Sequence, residues 1–429
     1  MTAAEKDKNY IWHPFTQMKT ADPPIHIVSG KGCTLYAADG TTYLDAISSW
    51  WVNIHGHSNK YISDAIAKQA GILEHVIFAG FTHTPAIELS KKLIEILGEP
   101  FSKVFFSDNG STSVEVAIKM ALQYWYNKGI RNKTKIIAFE NAYHGDTFGA
   151  MSAGERNTFN EPFQHHLFDV YHLPVPTEKN MDAVAEQFEQ LTADGNVAAF
   201  IFEPLVQGSN GMLMHQAKHL DKLIAIATEK KVVCIADEVM TGFGRTGRNF
   251  AIEYLQNKPD IICLSKGITG GFMPLGVTAC SQKIFNAFYA DDNAKTFFHG
   301  HSYTANPLSC AAANASMELL LEDECKQNIQ MICNSHTAFA DSIRTHDFVA
   351  AVRQQGTIIA IELKTPENTS YFNSVKKQAY RFYLENGVLL RPLGNIIYIM
   401  PPYCITTAEL EKVYSVIRQS LNYLRDNIN

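Results

Sequence analysis

Apolar and polar positions change period along the chain, and the changes mark its elements. Between about residues 100 and 280, short apolar runs recur: KVFF at 103–106, IIAF at 136–139, VAAFIF at 197–202, VVCIA at 232–236, DIICLS at 260–265 and VTACSQ at 277–282. Most of them are rich in β-branched or aromatic residues, all are too short for a helix, and they end in polar or turn-forming residues, so they read as buried strands. Segments with helical spacing lie between them. One starts at Ser111 or Thr112, where Thr112-Ser113-Val114-Glu115 fits a capping box. Strands alternating with helices predict an α/β fold, a mostly parallel sheet flanked by helices, with ligands at the carboxyl edge of the strands.

The flanks have another texture. After a polar arm interrupted by Pro14, residues 30–59 alternate like a β-hairpin turning through Ala38-Asp39-Gly40-Thr41 and then carry the pair Trp50-Trp51. Residues 61–97 follow a helical pattern, with Pro85 near the start of its second part. From about residue 328 come a helix, IIAIELK, the helix SVKKQAYRFYLENG and the run VLLRPLGNIIYIMPPY, an α+β pattern. The expected division is 1–59 and 328–429 as the two parts of a smaller α+β domain, around a large domain at 60–327.

Composition excludes more than it assigns. A net charge of −6 over 429 residues suggests neither nucleic acid nor an anionic membrane as partner. No apolar run approaches the roughly 20 residues of a membrane helix. The N-terminus MTAAEKDKNY has no apolar signal core, and the eight cysteines are scattered without C-x-x-C pairs. These features are expected of a cytoplasmic protein with reduced thiols.

The candidate chemistry sits where apolar runs end in charge. Asp237 closes VVCIA, and Lys266 follows DIICLS. An unpaired buried charge is costly. The two could pair with each other, or they could grip a pyridoxal phosphate (PLP), the lysine forming a Schiff base and the acid keeping the ring nitrogen protonated. Gly242, Gly244 and Gly247 spell G-x-G-x-x-G, but the strand does not run directly into the first glycine, and Phe243 and Arg245 occupy places where a tight phosphate turn is needed, so a dinucleotide site is not expected. Gly110, Ser111 and Thr112 offer free N–H groups and hydroxyls at a helix start, which suits an anion as well as it suits an ordinary cap. Tyr143, in the loop that also carries His144 and Asp146, could stack on a flat ring, and Glu203 closes a third strand. The pair Trp50-Trp51 could be core or pocket wall. His299 and His301 lack a nearby third ligand, so no metal is expected. Gly110–Thr112, Tyr143, Glu203, Asp237 and Lys266 all follow apolar runs and can all face one crevice.

With these residues in place, the chain resembles the class III, fold-type I, PLP-dependent aminotransferases over nearly its whole length. The class-level words are SDNGSTSVEVAIKMA, AYHGDT, FEPLVQG, IADEVMTGFGRTG, LSKGITGG and the helix entry NPLSCAAA. WHPFTQM, SSWW and LLRPLGNIIYIMPPY are similar to the branch that serves biotin synthesis. The resemblance implies a seven-stranded, mostly parallel sheet in the large domain and a homodimer with shared active sites. It implies transfer of an amino group from S-adenosylmethionine to 7-keto-8-aminopelargonate. By position, Lys266 would carry the cofactor and shuttle the proton, and Asp237 would pair with the pyridine nitrogen. Tyr143 would stack on the ring, Gly110 and Ser111 would bind the phosphate, and Glu203 would join the cofactor site. Ser302 would reach the neighbouring subunit's phosphate. Trp50 and Trp51 would line the substrate tunnel, and Arg391 would clamp a carboxylate. Phe15, Asp146, Arg245 and Gly300 would shape the pocket. Two departures stand out. Phe15 occupies a place where tyrosine is usual, which puts the amino donor in question. Ser302 replaces the more usual threonine. The alternatives are another ω-amino acid or diamine transaminase, or the same transfer with a donor such as lysine.

Overall fold

The computed structural model describes residues 1–427. A central sheet of seven strands organises it: β1 Phe101–Ser107, β2 Lys135–Phe139, β3 Val170–Leu173, β4 Val197–Phe202, β5 Val233–Asp237, β6 Ile261–Leu264 and β7 Gly276–Ser281. Their spatial order is β1-β7-β6-β5-β4-β2-β3. The contacts among β3, β2, β4, β5 and β6 are parallel, whereas β7 runs antiparallel to both β6 and β1. The expected mostly parallel sheet is therefore present. β3 has no counterpart among the runs read from the sequence, because VYHL is short and carries a histidine.

The strands read as continuous apolar runs because both faces of the sheet are covered. Along β4, all of whose residues are buried, Phe200 and Phe202 join one core while Ala199 and Ile201 join the other. The first core takes Val184 and Phe188 from the helix Met181–Thr192 and Leu220, Leu223 and Ile224 from the helix Ala217–Glu229. The second takes Val114, Ile118, Ala121 and Trp125 from the helix Gly110–Asn127. Burying each large side chain contributes roughly 1.5–3 kcal/mol.

That last helix begins earlier than its sequence pattern suggested. Asn109, not Thr112, is the N-cap. Thr112 N–H donates to Asn109 Oδ1 (3.0 Å), and Asn109 N–H donates back to Thr112 Oγ1 (3.0 Å). An asparagine cap with a threonine reply satisfies the same orphan donors as the predicted Thr–Glu box. It also leaves Glu115 free to accept from Gly149 and Ala150 N–H (2.6 and 3.1 Å).

The terminal segments interlock. Strands Ile27–Lys31, Thr34–Ala37 and Thr42–Asp45 form a sheet with Val388–Leu389, and the hairpin turns at Ala38–Thr41 as expected. Val349–Gln355, Ile358–Leu363 and Ile396–Ile399 make a second, antiparallel sheet. Ser48 Oγ donates to Met400 O (2.9 Å), Met400 N–H to Ala46 O (2.9 Å) and Tyr403 N–H to Ile54 O (2.7 Å). The polar N-terminal stretch is not wholly irregular: Ala3–Tyr10 is a helix with a Thr2–Glu5 capping box and no buried residue. Among the described residues, no helix is long and apolar enough to cross a membrane.

Candidate active site

Strand register brings the carboxylates together. Ala236 on β5 pairs with Phe202 on β4, so Asp237 and Glu203 emerge side by side at the carboxyl edge. Asp237 also pairs with Cys263 on β6, three residues before Lys266. Here a cavity of about 730 Å³ opens, lined by Gly110, Ser111, Tyr143, Asp146, Glu203, Asp237, Lys266, Trp50 and Trp51 among others.

The geometry decides between the two readings of Asp237 and Lys266. His144 Nδ1–H donates to Asp237 Oδ2 (2.7 Å), and Val239 N–H donates to Asp237 Oδ1 (3.1 Å). Lys266 forms no ion pair among the described residues, with Asp237 or any other acid. Its amine lies 4.5 Å above the Trp51 ring. Burial holds it below the usual lysine range, at about 8, against the opposing pull of Asp237 and Glu203. Lys266 adopts a left-handed backbone (φ 46°), uncommon for a residue with a side chain. A buried, unpaired amine in a strained conformation is a functional signature rather than a packing solution.

His144 is the partner that sequence reasoning did not place. In the sequence it was visible only as a neighbour of Tyr143 in the AYHGDT word. Its Nε2 is shielded and unbonded, and its Nδ1 carries the hydrogen shared with the Asp237 carboxylate oxygen. Glu203 is raised to about 7, chiefly by burial, although Tyr143 N–H (3.2 Å) and Gly208 N–H (2.9 Å) both donate to it. The Tyr143 hydroxyl is pushed up by burial and by Asp146.

The anion cradle is built by close approach. A Cβ on Gly110 would come within 2.6 Å of Val239 Cγ1, and one on Gly145 would collide with Ser111. Ser111 Oγ accepts from Thr147 N–H (2.9 Å) and bonds the Thr147 hydroxyl (2.8 Å). The start of the helix Gly110–Asn127 directs its free N–H groups at the same place.

Asp45, another group the sequence did not flag, shapes the tryptophan wall. It accepts from Ile47 N–H, Ser49 N–H and Ser49 Oγ–H (3.1, 2.7 and 3.0 Å) and faces His57 Nε2 (2.9 Å). Ser48, Ser49 and Trp51 thereby take positive φ values. Trp51 points inward, its indole N–H donating to Tyr398 (2.9 Å), while Trp50 stays half exposed.

Other expected site residues lie off the cavity wall. Arg245 is fully buried behind it, donating to Pro401 O (2.7 Å) and Trp51 O (3.4 Å). The glycine word around it wraps Glu238, which accepts from Ala251 and Ile252 N–H (2.8 and 2.7 Å), and opens no phosphate-binding helix. Arg391 lies 4.8 Å over the Trp50 ring, and Phe15 packs 5.8 Å from the same ring. Gly300 and Ser302 are exposed on a loop outside the cavity.

A lysine amine, a histidine-held aspartate and an anion cradle on the edge of a seven-stranded sheet define a PLP-dependent transferase, and the chain belongs to the class-III aminotransferase family, whose profile matches residues 16–421. It is 48% identical to the adenosylmethionine-8-amino-7-oxononanoate aminotransferase of Synechococcus elongatus, covering 96% of this chain and 98% of that one. It is 37% identical to the Staphylococcus aureus protein of the same name, with 98% of each covered. Among solved structures, the Methanocaldococcus jannaschii protein of that name matches with a TM-score of 0.92 and 37% identity, over 97% of this chain and 98% of that one. An ω-transaminase from Pseudomonas jessenii in complex with PMP matches with a TM-score of 0.94 and 26% identity, over 99% of each chain. The fold is thus fold-type I, and the chain is a PLP-dependent aminotransferase. The residues present fit that cofactor: the cavity has an unpaired amine on one side, a polarised carboxylate on another, and a cradle that side chains at positions 110 and 145 would fill.

Proposed function

We propose that this enzyme moves an amino group from S-adenosylmethionine to 7-keto-8-aminopelargonate in the biotin pathway, as a cytoplasmic homodimer with shared sites. The observation that carries the chemistry is the buried, unpaired Lys266 amine in one cavity with the Asp237–His144 pair. The names borne by full-length relatives support the choice of substrates. When bound, the cofactor supplies an electron sink and a carbon that carries the amino group between donor and acceptor.

Each residue role follows from its chemistry. Asp237, held in place by the His144 and Val239 N–H groups, would pair with the ring nitrogen and favour its protonated form. Lys266 Nζ, with its affinity for protons lowered by burial, is deprotonated in an appreciable fraction near neutral pH and can take and return a substrate proton. Gly110 and Ser111 bind the phosphate, Tyr143 packs on the ring, and Glu203 braces the Tyr143 and Gly208 backbone beside it. Trp50 and Trp51 wall off water from an aliphatic substrate. Arg391, resting on Trp50, offers a carboxylate two parallel donors. Phe15 and Asp146 flank the entrance, and Arg245 supports Trp51 from behind. Gly300 and Ser302 lie on the loop that would serve the partner's site. The division into a large domain at 60–327 and a small one from 1–59 and 328–429 belongs to the same reading.

Phe15, which has no hydroxyl where tyrosine is usual, puts the donor in question, and the second reading is the same transfer with lysine as donor. The test adds S-adenosylmethionine, lysine and glutamate separately to the purified holoenzyme and follows the cofactor's visible absorbance. A change with S-adenosylmethionine alone supports the first reading, and a change with lysine alone supports the second. No change with either refutes both donors.

A further inference from the structure

Outside the cavity, four titratable side chains form a line from the helix Gly110–Asn127 to the loop carrying Gly300 and Ser302. Lys119 Nζ lies 2.8 Å from His299 Nδ1. His299 Nε2 lies 3.2 Å from His301 Nε2. His301 Nδ1 lies 2.8 Å from Asp108 Oδ2, close enough for an ion pair though off-line in this rotamer. The ends dictate the direction. An ammonium can only donate and a carboxylate can only accept. His299 Nδ1 therefore accepts from Lys119 and its Nε2 faces His301, while His301 stands against the Asp108 carboxylate by proximity, without a hydrogen bond in this rotamer. His299 is held below the usual histidine range by burial, then by Lys119 and His301, with Glu115 opposing. Glu115 itself is taken up by the backbone at Gly149 and Ala150.

Packing holds the line in place. His299 stacks on Phe297 (5.8 Å, 13°) and meets Phe105 of β1 edge-on (6.2 Å). His301 N–H donates to Thr304 Oγ1 (2.9 Å), and Asn306 caps the helix that follows. Asp108 stands two residues before Gly110, and its N–H and that of Asn109 both donate to Thr112 Oγ1 (3.2 and 3.0 Å). A free carboxylate beside a cradle for a doubly charged anion repels that anion. A carboxylate faced by His301 at 2.8 Å, and offset through the line by Lys119, does so less, and the contact sets the cradle's entry strand against the 299–304 loop.

We propose that the Lys119–His299–His301–Asp108 line sets the geometry and charge of the phosphate end of the cofactor site, with His301 as its positioning residue. The proposal rests on reading Gly110 and Ser111 as the phosphate cradle. The expected signature is specific to the phosphate and leaves the rest of the cofactor's contacts alone.

The test titrates the cofactor-free full chain with PLP and, separately, with pyridoxal, which lacks the phosphate, reading absorbance and tryptophan fluorescence. Wild type is expected to bind PLP far more tightly than pyridoxal. Equal affinities in wild type would sink the cradle reading itself. With the cradle intact, His301→Ala is expected to raise the PLP Kd about tenfold, the loss of the close partner that offsets the Asp108 carboxylate, with the pyridoxal Kd within about twofold of wild type. Lys119→Met breaks the line at its exposed end, where folding is not at risk, and is expected to raise the PLP Kd about threefold. An unchanged PLP Kd in both variants, or an equal loss for PLP and pyridoxal, overturns the proposal.

Discussion

The most direct test of the Lys266 environment is to remove its charge from the cofactor-free protein. Burial holds the amine at about 8, against 10.5 for a free lysine. At about 1.4 kcal/mol for each factor of ten in proton affinity, the folded state gives up roughly 3 kcal/mol to keep this group charged at neutral pH. The sign follows from proton counting. Between about pH 8 and 10.5 the unfolded chain still binds the proton and the native one does not, so stability rises with pH in that window. Below 8 the cost is fully present. Lys266→Met keeps the aliphatic length and the left-handed backbone but has nothing to ionise. The cofactor-free variant is therefore expected to be about 2–3 kcal/mol more stable than wild type at pH 7, with the advantage shrinking toward zero by pH 10. Urea unfolding of both proteins at matched protein concentration, at pH 7 and 9.5, measures it, since the other lysines and tyrosines titrate alike in both and cancel. A variant no more stable at pH 7, or an advantage that does not shrink with pH, would refute the account of a desolvated, unpaired amine.

Other expectations follow from the same site. Glu203 is raised to about 7 by burial, so the native state binds its proton more tightly than the unfolded chain does and wild type loses stability as pH rises from about 4.5 to 7; Glu203→Gln should lack that slope in cofactor-free unfolding, whatever the constant offset from its altered backbone contacts. His144→Ala offers no donor to Asp237 Oδ2, and losing that 2.7 Å bond to a buried carboxylate should lower kcat about ten- to hundredfold without changing the amount of cofactor bound per chain, whereas His144→Asn, whose Nδ2 can stand where Nδ1 was, should keep most of the activity. Gly110→Ala puts a methyl 2.6 Å from Val239 Cγ1. PLP affinity should fall about five- to a hundredfold, and Val239→Ala in the same chain should recover part of it.

The parts of the fold that were legible are those that carry a period. The runs at 103–106, 136–139, 197–202, 232–236, 260–265 and 277–282 are strands because residues buried on both faces of a sheet must all be apolar. The hairpin at 38–41 was legible from turn chemistry. VYHL at 170–173 escaped because its pairing with β2, not its composition, makes it a strand. The cap at Asn109 was misplaced because Thr112 answers it with a hydroxyl instead of a carboxylate. At the site, Asp237 and Lys266 were conspicuous as charges ending apolar runs, whereas His144 and Asp45 were not. Their importance lies in what they touch: His144 meets Asp237 across 93 residues, which leaves no local signature, and Asp45 bonds neighbours 2 to 12 residues away in a loop whose positive φ values follow no period.

What the sequence could not supply is the division of labour among buried charges, and that division explains why the site tolerates so many. Asp237, Glu203, Arg245 and Glu238 are buried within one region, with the desolvated amine of the partly exposed Lys266 among them, an arrangement that would be costly if each charge stood alone. Three of them are quenched by backbone or histidine donors: Asp237 by His144, Glu238 by Ala251 and Ile252, and Glu203 by Tyr143 and Gly208. Arg245 is quenched by two carbonyls. Lys266 alone has no hydrogen-bond or ion-pair partner among the described residues, and its strained backbone holds it there. The polar groups of this region hold the other four charges and leave the reactive amine alone, so a substitution that gave Lys266 a partner, such as Trp51→Glu beneath its amine, would keep the amine protonated and abolish turnover, while the lost indole packing and its bond to Tyr398 would lower the stability of the folded chain.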